Sequence, residues 1–262
     1  MTHTPMFSII IPTWERVKDG RLRRCLNSVA TQTFEDFECI VVDDGSKEDV
    51  RGLVAEFQAK VHPFVDERFR CVRIGHAGRV VARNEGMRAA TGKNICWLDS
   101  DDCYNPEYLN TFNYHINQDR SAKLWVCGSV YFGMKKVENT KKGRNYRAFY
   151  VCPRWTKIRP AWLPPLDCDG IHSIHFPSGR VGTGMFVFAR ECLEKTGYPP
   201  PWRNHLELAD GIDEWLGYET GYSSAKRWVG NPWGDDFCWF RKLSMHYRVH
   251  IIHAALYVQY VR

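Results

Sequence analysis

The sequence predicts an α/β fold, a mixed and mostly parallel sheet flanked by helices. Three observations carry this. Short apolar runs of strand length alternate with segments of helical spacing, the signature of βαβ units. The runs are apolar on both faces, as in strands covered by helices on both sides. Polar clusters follow the first, second and fourth runs: Pro12 and Thr13, then Asp43 to Ser46, then Asp99 to Asp102. In such sheets ligands bind beyond the carboxyl ends of the strands, so the clusters fall on one edge.

The elements follow in order. Residues 7–11 (FSIII) form a strand ended by Pro12, and 21–31 carry Leu22, Cys25, Leu26 and Val29 at helical spacing. Residues 37–42 are a second strand, 50–61 a helix with Leu53, Val54 and Phe57 on one side, and 69–74 a third strand. A third helix over 79–90 is stopped by Gly92, a fourth strand covers 94–98, and Asn105-Pro106 opens another helix. Beyond 132 the pattern is irregular, rich in basic, aromatic, Pro and Gly residues, with a strand over 182–189 and a helix over 235–247. No internal repeat interrupts the chain. The division expected is a first half over 1–130 and a second half over 131–262, packed as one domain.

The 262 residues suit one large domain, and 44% hydrophobic with 25% charged residues excludes a disordered chain. No apolar run reaches the roughly 18 residues of a membrane span, and Met1 to Met6 carry no signal peptide, so a cytoplasmic location is expected, with the inner face of a membrane left open. Ten scattered cysteines without a CxxC pair read as reduced thiols. A net charge of +6 favours anionic partners weakly, and Lys135 to Arg147 is the densest basic stretch, either a solvated loop face or a functional patch.

The stretch CWLDSDDCYN places Asp99, Asp101 and Asp102 at the rim of a buried strand. Two carboxylates about 4 Å apart repel by roughly 4 kcal/mol at an effective dielectric near 20. A solvated acidic turn with one Asp as a helix cap is one answer. A hard divalent cation, held by one or two carboxylates and completed by substrate phosphates, is the other.

Together, FSIIIPTWER, VVDDGSKED and ARNEGMRAATGKNICWLDSDDCYNPEYL resemble the N-terminal half of glycosyltransferase family 2, which has the GT-A fold. GTGMFVFARECLEKTGYPP and NPWGDDFCWFRKL extend the resemblance into the second half. The resemblance implies an inverting, metal-dependent transfer of a sugar from a UDP- or GDP-sugar to an acceptor hydroxyl. Pro12, Thr13, Asp43, Asp44, Arg79, Arg83, Asn84, Asp99 and Ser100 would form the nucleotide site. Asp44 would accept from the base, and uracil and guanine both offer an N–H. Asp101, with Asp99 of the DxD, would hold Mn2+ or Mg2+ as a Lewis acid at the leaving diphosphate. Asp235 would be the base for the acceptor hydroxyl, with Arg241 six residues on and Asp236 as the fallback.

Two features depart from the family. Gly234 replaces the Glu that precedes the base, and the chain ends in LYVQYVR without the family's metal-reaching His. His246, His250 and His253, like Cys168, His172 and His175, form only weak metal patterns. Expected acceptors are a glycan or a lipid-linked molecule, the latter with peripheral membrane contact. Three rivals stay open: a nucleotidyltransferase, for which IPTWERVKDG lacks the Gly-rich phosphate loop; a non-catalytic nucleotide- or glycan-binding module; and a glycosyltransferase acting on nucleic acid. Trp155, Trp162, Trp202, Trp215, Trp228 and Trp233 would either pack or stack on sugars.

Overall fold

Strand β1 (Phe7–Thr13) is buried along its whole length and forms the axis of the parallel half of the sheet. The computed structural model describes residues 3–61, 68–132, 148–151, 183–199 and 234–260. On one side β1 pairs in parallel with β2 (Phe37–Asp44), which pairs in parallel with β3 (Phe69–Ile74). On the other side it pairs in parallel with β4 (Asn94–Trp97). Helices α1 (Arg21–Ala30), α2 (Val50–Val61) and α3 (Arg79–Ala89) make the crossovers. Helix α1 buries Leu22, Cys25, Leu26 and Val29, the four residues whose spacing marks its inner face.

The sheet continues through strands distant in sequence. Beyond β4 come β8 (Phe186–Ala189), β6 (Leu124–Phe132), β9 (Val249–Tyr260) and the short β5 (Cys103–Tyr104), while β7 (Ala148–Val151) pairs with β6. Contacts β4–β8, β8–β6, β6–β7 and β9–β5 are antiparallel, and β6–β9 is parallel. Most registered residue pairs are therefore parallel, as the sequence predicts. Helices α4 (Tyr108–Gln118), α5 (Cys192–Thr196) and α6 (Gly234–His246) complete the described elements. One core runs from Phe7 on β1 to Trp239 on α6 and Tyr257 on β9.

Several local expectations change. Strand β1 does not stop before Pro12; it runs through to Thr13. The Leu98 N–H donates to the Ile10 carbonyl at 3.0 Å. The next rung of a parallel ladder would need an N–H at residue 12, and proline has none. The β1–β4 register accordingly ends at Ile10 and Trp97, and the chain after β4 turns away. Strand β2 also runs further than expected, through Asp43 and Asp44. Gly92 does not stop α3, which ends at Ala89 with Ala90 already extended. Gly92 instead lies against β1, where a Cβ would come 2.6 Å from the Ser8 hydroxyl.

The strand expected over 182–189 begins only at Phe186, after a 3₁₀ turn over Thr183–Met185. Helix α4 starts at Tyr108, because the Asn105 side chain closes a turn by accepting from the Glu107 N–H at 2.9 Å. Strands β6 and β9 are not foreseen in the sequence, and β6 runs through residue 130. His246 closes α6, whereas His250 lies on β9, its Nδ1 3.2 Å from Asp119 and its Nε2 3.0 Å from His115. The basic stretch 135–147, the set Cys168, His172 and His175, and Trp155, Trp162, Trp202, Trp215, Trp228 and Trp233 lie outside the described residues.

Candidate active site

The sheet delivers its polar clusters from strand ends. Thr13, the last residue of β1, is in register with Asp43 of β2, and Asp44, the last residue of β2, is in register with Ile74 of β3. Thr13, Asp43 and Asp44 are buried. Pro12 ends the pairing with β4 beside them, which opens the crevice that the turn 99–102 lines.

Asp43 and Asp44 hold two different loops. One oxygen of Asp43 accepts from the Ser46 N–H at 2.9 Å, an Asx turn, and the other takes the Arg73 guanidinium. Arg73 also donates to the Ser46 carbonyl at 2.7 Å, so the DDGS turn is braced from β3. The Asp44 oxygens accept from Ala77 N–H at 2.7 Å and Gly78 N–H at 2.9 Å, the two residues that lead into α3. Gly78 has φ +94, a conformation that glycine adopts without strain, and this aims its N–H at the carboxylate. His76 Nδ1 also lies 3.0 Å from Asp44 Oδ2, so Asp44 Oδ1 is the oxygen with a second lone pair for a ligand donor.

The loop after β1 is tied to the loop after β2. Glu48 accepts from Val17 N–H at 2.6 Å, Glu15 accepts from Lys47 N–H at 2.8 Å, and Ser46 accepts from Glu15 N–H at 3.1 Å. Glu15 is the one non-glycine residue with positive φ among the described residues. Next to it Trp14 is 49% exposed and stacks on His76, ring centroids 4.7 Å apart. Sequence reasoning passed over this pair, although an exposed tryptophan directly after a buried strand end is a visible signal.

The third cluster is built around a buried arginine. Arg83, on α3, donates to Asp99 Oδ1 at 2.8 Å and to Thr183 Oγ1 at 2.9 Å, with Thr183 3.1 Å from Asp99 Oδ2. Its guanidinium lies over the Trp97 ring, 5.0 Å from the centroid. Neighbouring Asn84 is buried and donates to the Pro199 carbonyl at 2.6 Å. Arg79 is exposed at the first position of the same helix, and Ser100 is buried within the turn. Burial pushes the Cys25 thiol well up, so it stays protonated 3.6 Å from the Asp99 carbonyl oxygen.

The three aspartates of the turn are not equivalent. Asp99 is engaged by Arg83 and Thr183, and Asp102 is buried and accepts from the Tyr257 hydroxyl. The Asp101 carboxylate is 27% exposed, with Arg21 at 3.9 Å, while Arg24 donates to its backbone carbonyl at 2.7 Å. Among the described residues no group of three or more His, Cys, Asp or Glu side chains converges as a closed metal cage. The donors present are carboxylate oxygens at an open crevice, which fits a hard cation completed by a ligand's own oxygens rather than a closed site. Asp235 and Asp236 occupy the first turn of α6.

This is the architecture of the GT-A glycosyltransferases. S. aureus TarS 1-349, solved in complex with UDP-GlcNAc, aligns with 98% of this chain and 58% of its own at TM-score 0.59 and 18% identity. The mannosyltransferase PcManGT from Pyrobaculum calidifontis, solved with GDP-Man and Mn2+, aligns with 98% of this chain and 57% of its own at TM-score 0.56 and 16% identity. The sequence family described as "Glycosyl transferase family 2" matches residues 8–182, and the chain belongs to it. Glycosyltransferase GlyA of Streptococcus pneumoniae is 24% identical over 201 residues, 69% of this chain and 27% of its own length. The uncharacterized glycosyltransferase YibD of Escherichia coli is 36% identical over 111 residues, 42% of this chain and 30% of its own. The chain thus spans under a third of the length of both relatives. No helix among the described residues is long and apolar enough to cross a membrane.

Proposed function

We propose that the chain carries the donor site of an inverting, metal-dependent glycosyltransferase that takes a UDP- or GDP-sugar. The observation behind this reading is the crevice itself: one sheet edge presents Thr13, Asp44 and the 99–102 turn from rigid strand ends. Thr13 Oγ1 is buried with no hydrogen-bond partner among the described residues, the state of a hydroxyl waiting for a ligand. Asp44 accepts an N–H from the base, and the exposed Trp14–His76 stack offers that base a flat face.

Asp101 and the outer face of Asp99 would hold Mn2+ or Mg2+, which when bound supplies Lewis-acid neutralisation of the leaving diphosphate. Arg83 and Thr183 hold Asp99 fixed. Asp235, at the start of α6, takes the proton of the acceptor hydroxyl. The resulting oxygen attacks the anomeric carbon, the bond to the β-phosphate oxygen breaks, and a single displacement inverts the centre. The acceptor is a glycan or a lipid-linked alcohol, the latter reached at a membrane surface.

The test is thermal stability against UDP, GDP and their sugars, with and without manganese, in wild type and Asp101→Ala. A manganese-dependent rise with one nucleotide, lost in the variant, is the expected outcome. A midpoint unmoved by every nucleotide would favour the rival in which the fold serves as a binding module for another ligand.

A further inference from the structure

Tyr257 is fully buried on β9, in register with Tyr104 of β5 on one side and Ser129 of β6 on the other. Its ring meets Tyr104 at 6.3 Å in an edge contact and fills the space over Gly184, where a Cβ would lie 2.1 Å from the ring. So confined, its hydroxyl donates to Asp102 Oδ2, 155 residues away in sequence. The Asp102 N–H in turn donates to the Asp99 carbonyl at 2.9 Å, closing the acidic turn on itself. Directly after the turn, β5 pairs with β9, and the Asn105 N–H donates to the Leu256 carbonyl at 2.8 Å.

The last strand therefore grips the acidic turn at its exit, as Arg83 and Thr183 grip it at its entrance. Asp102 is 8% exposed, so without the hydroxyl its carboxylate would be buried with one strong donor fewer. The side chain would then be free to swing from its inward position, and that change alters the turn that presents Asp101.

We propose that Tyr257 is a positioning residue for the donor-site cation: its hydroxyl holds Asp102 inward, so that Asp101 faces the crevice and cation affinity is set from β9. This rests on the reading of Asp101 as a cation ligand. Groups one bond behind a metal ligand typically change affinity by roughly 10- to 100-fold when removed.

The experiment is titration of the full chain with manganese in the presence of UDP or of GDP, read by loss of the free-ion electron paramagnetic resonance signal. Tyr257→Phe should weaken manganese binding about tenfold, while affinity for the nucleotide without metal and the far-UV circular dichroism stay as in wild type. Asp102→Asn, whose carboxamide oxygen still accepts from Tyr257, should bind manganese as wild type does, whereas Asp102→Ala should match Tyr257→Phe. This Asp102 pair tests the same bond even if Tyr257→Phe fails to fold. Unchanged affinity in Tyr257→Phe or Asp102→Ala overturns the inference. So does loss in Asp102→Asn as deep as in Asp101→Ala, which would make Asp102 itself a ligand. If wild type binds no manganese with either nucleotide, the donor-site reading falls first.

Discussion

Asp99 and Asp101 stand two residues apart and meet different partners. Arg83 brings a full positive charge, 2% exposed, against Asp99, and hydrogen bonds to charged groups contribute about 1.5–3 kcal/mol each. Removing Arg83 would take from Asp99 its close counter-charge, so this pair is part of the framework. Asp101 lies 3.9 Å from Arg21 and is braced through its backbone carbonyl by Arg24, and its carboxylate, 27% exposed, is about as open as that of Asp99 at 31%. Asp235, the base in the proposed reading, lies in the first turn of α6, where a helix N-terminus favours an anion. Replacing Asp235 with Asn preserves shape and removes basicity, so steady-state turnover should fall by about 10²–10⁴ with the donor KM almost unchanged. Retained turnover would pass the role to Asp236 or to another residue.

At the scale of elements, the placement of α3 decides whether Arg83 reaches Asp99. Gly86 lies on α3 one turn after Arg83, and a Cβ there would come 2.3 Å from Ile10 Cγ2 on β1 and 3.2 Å from Val42 Cγ2 on β2. Helix propensity alone would reward alanine by about 1 kcal/mol. Overpacking against two buried strands costs about 1–3 kcal/mol, and the clash wins. Gly86→Ala should therefore lower the urea midpoint, and a raised midpoint would show that α3 can slide away. The same logic explains Gly92, whose backbone N–H approaches Ser8 Oγ at 2.8 Å because no side chain intervenes. Strand β4 is the second deciding element. It leaves β1 where Pro12 offers no donor, and the acidic turn 99–102 follows directly.

For the molecule as a whole, the far edge of the sheet carries a buried polar knot that matters to stability rather than to chemistry. Glu38 on β2 accepts from Ser8 Oγ at 2.6 Å, from Thr91 N–H at 2.6 Å, and from Arg70 at 2.9 Å, joining β1, β2, β3 and the α3–β4 turn. Burial pushes its carboxyl up, but the donors from Ser8, Arg70 and Thr91 outweigh this and hold it below the usual range. A lowered folded pKa means stability that is fully present above the unfolded value, about 4.3, and lost as pH falls through the lowered one. Unfolding free energy in urea should drop between pH 6 and pH 3, and less steeply in Glu38→Gln. An unchanged slope in that variant would place the acid sensitivity elsewhere. Burial acts on the thiols in the same way: Cys39, Cys96 and Cys127 are fully buried and pushed far up, and the seven cysteines with described side chains are all free.

The parallel half of the sheet was legible because its signals are local. An apolar run such as FSIII or FECIVV declares a buried strand by itself, and an acid at its end declares a crevice rim. The sequence by itself thus determined the order of β1 to β4, the α/β class, and the presence of Thr13, Asp44 and Asp101 at one edge. Strands β6 and β9 escaped it, since a mixed run such as VHIIHAALYVQY states neither its partner nor its register. Which partner each aspartate of the turn meets was decided only by tertiary structure. Thr183 meets Asp99 across 84 residues and Tyr257 meets Asp102 across 155, and such pairings are set by packing of the whole core, which no local pattern encodes.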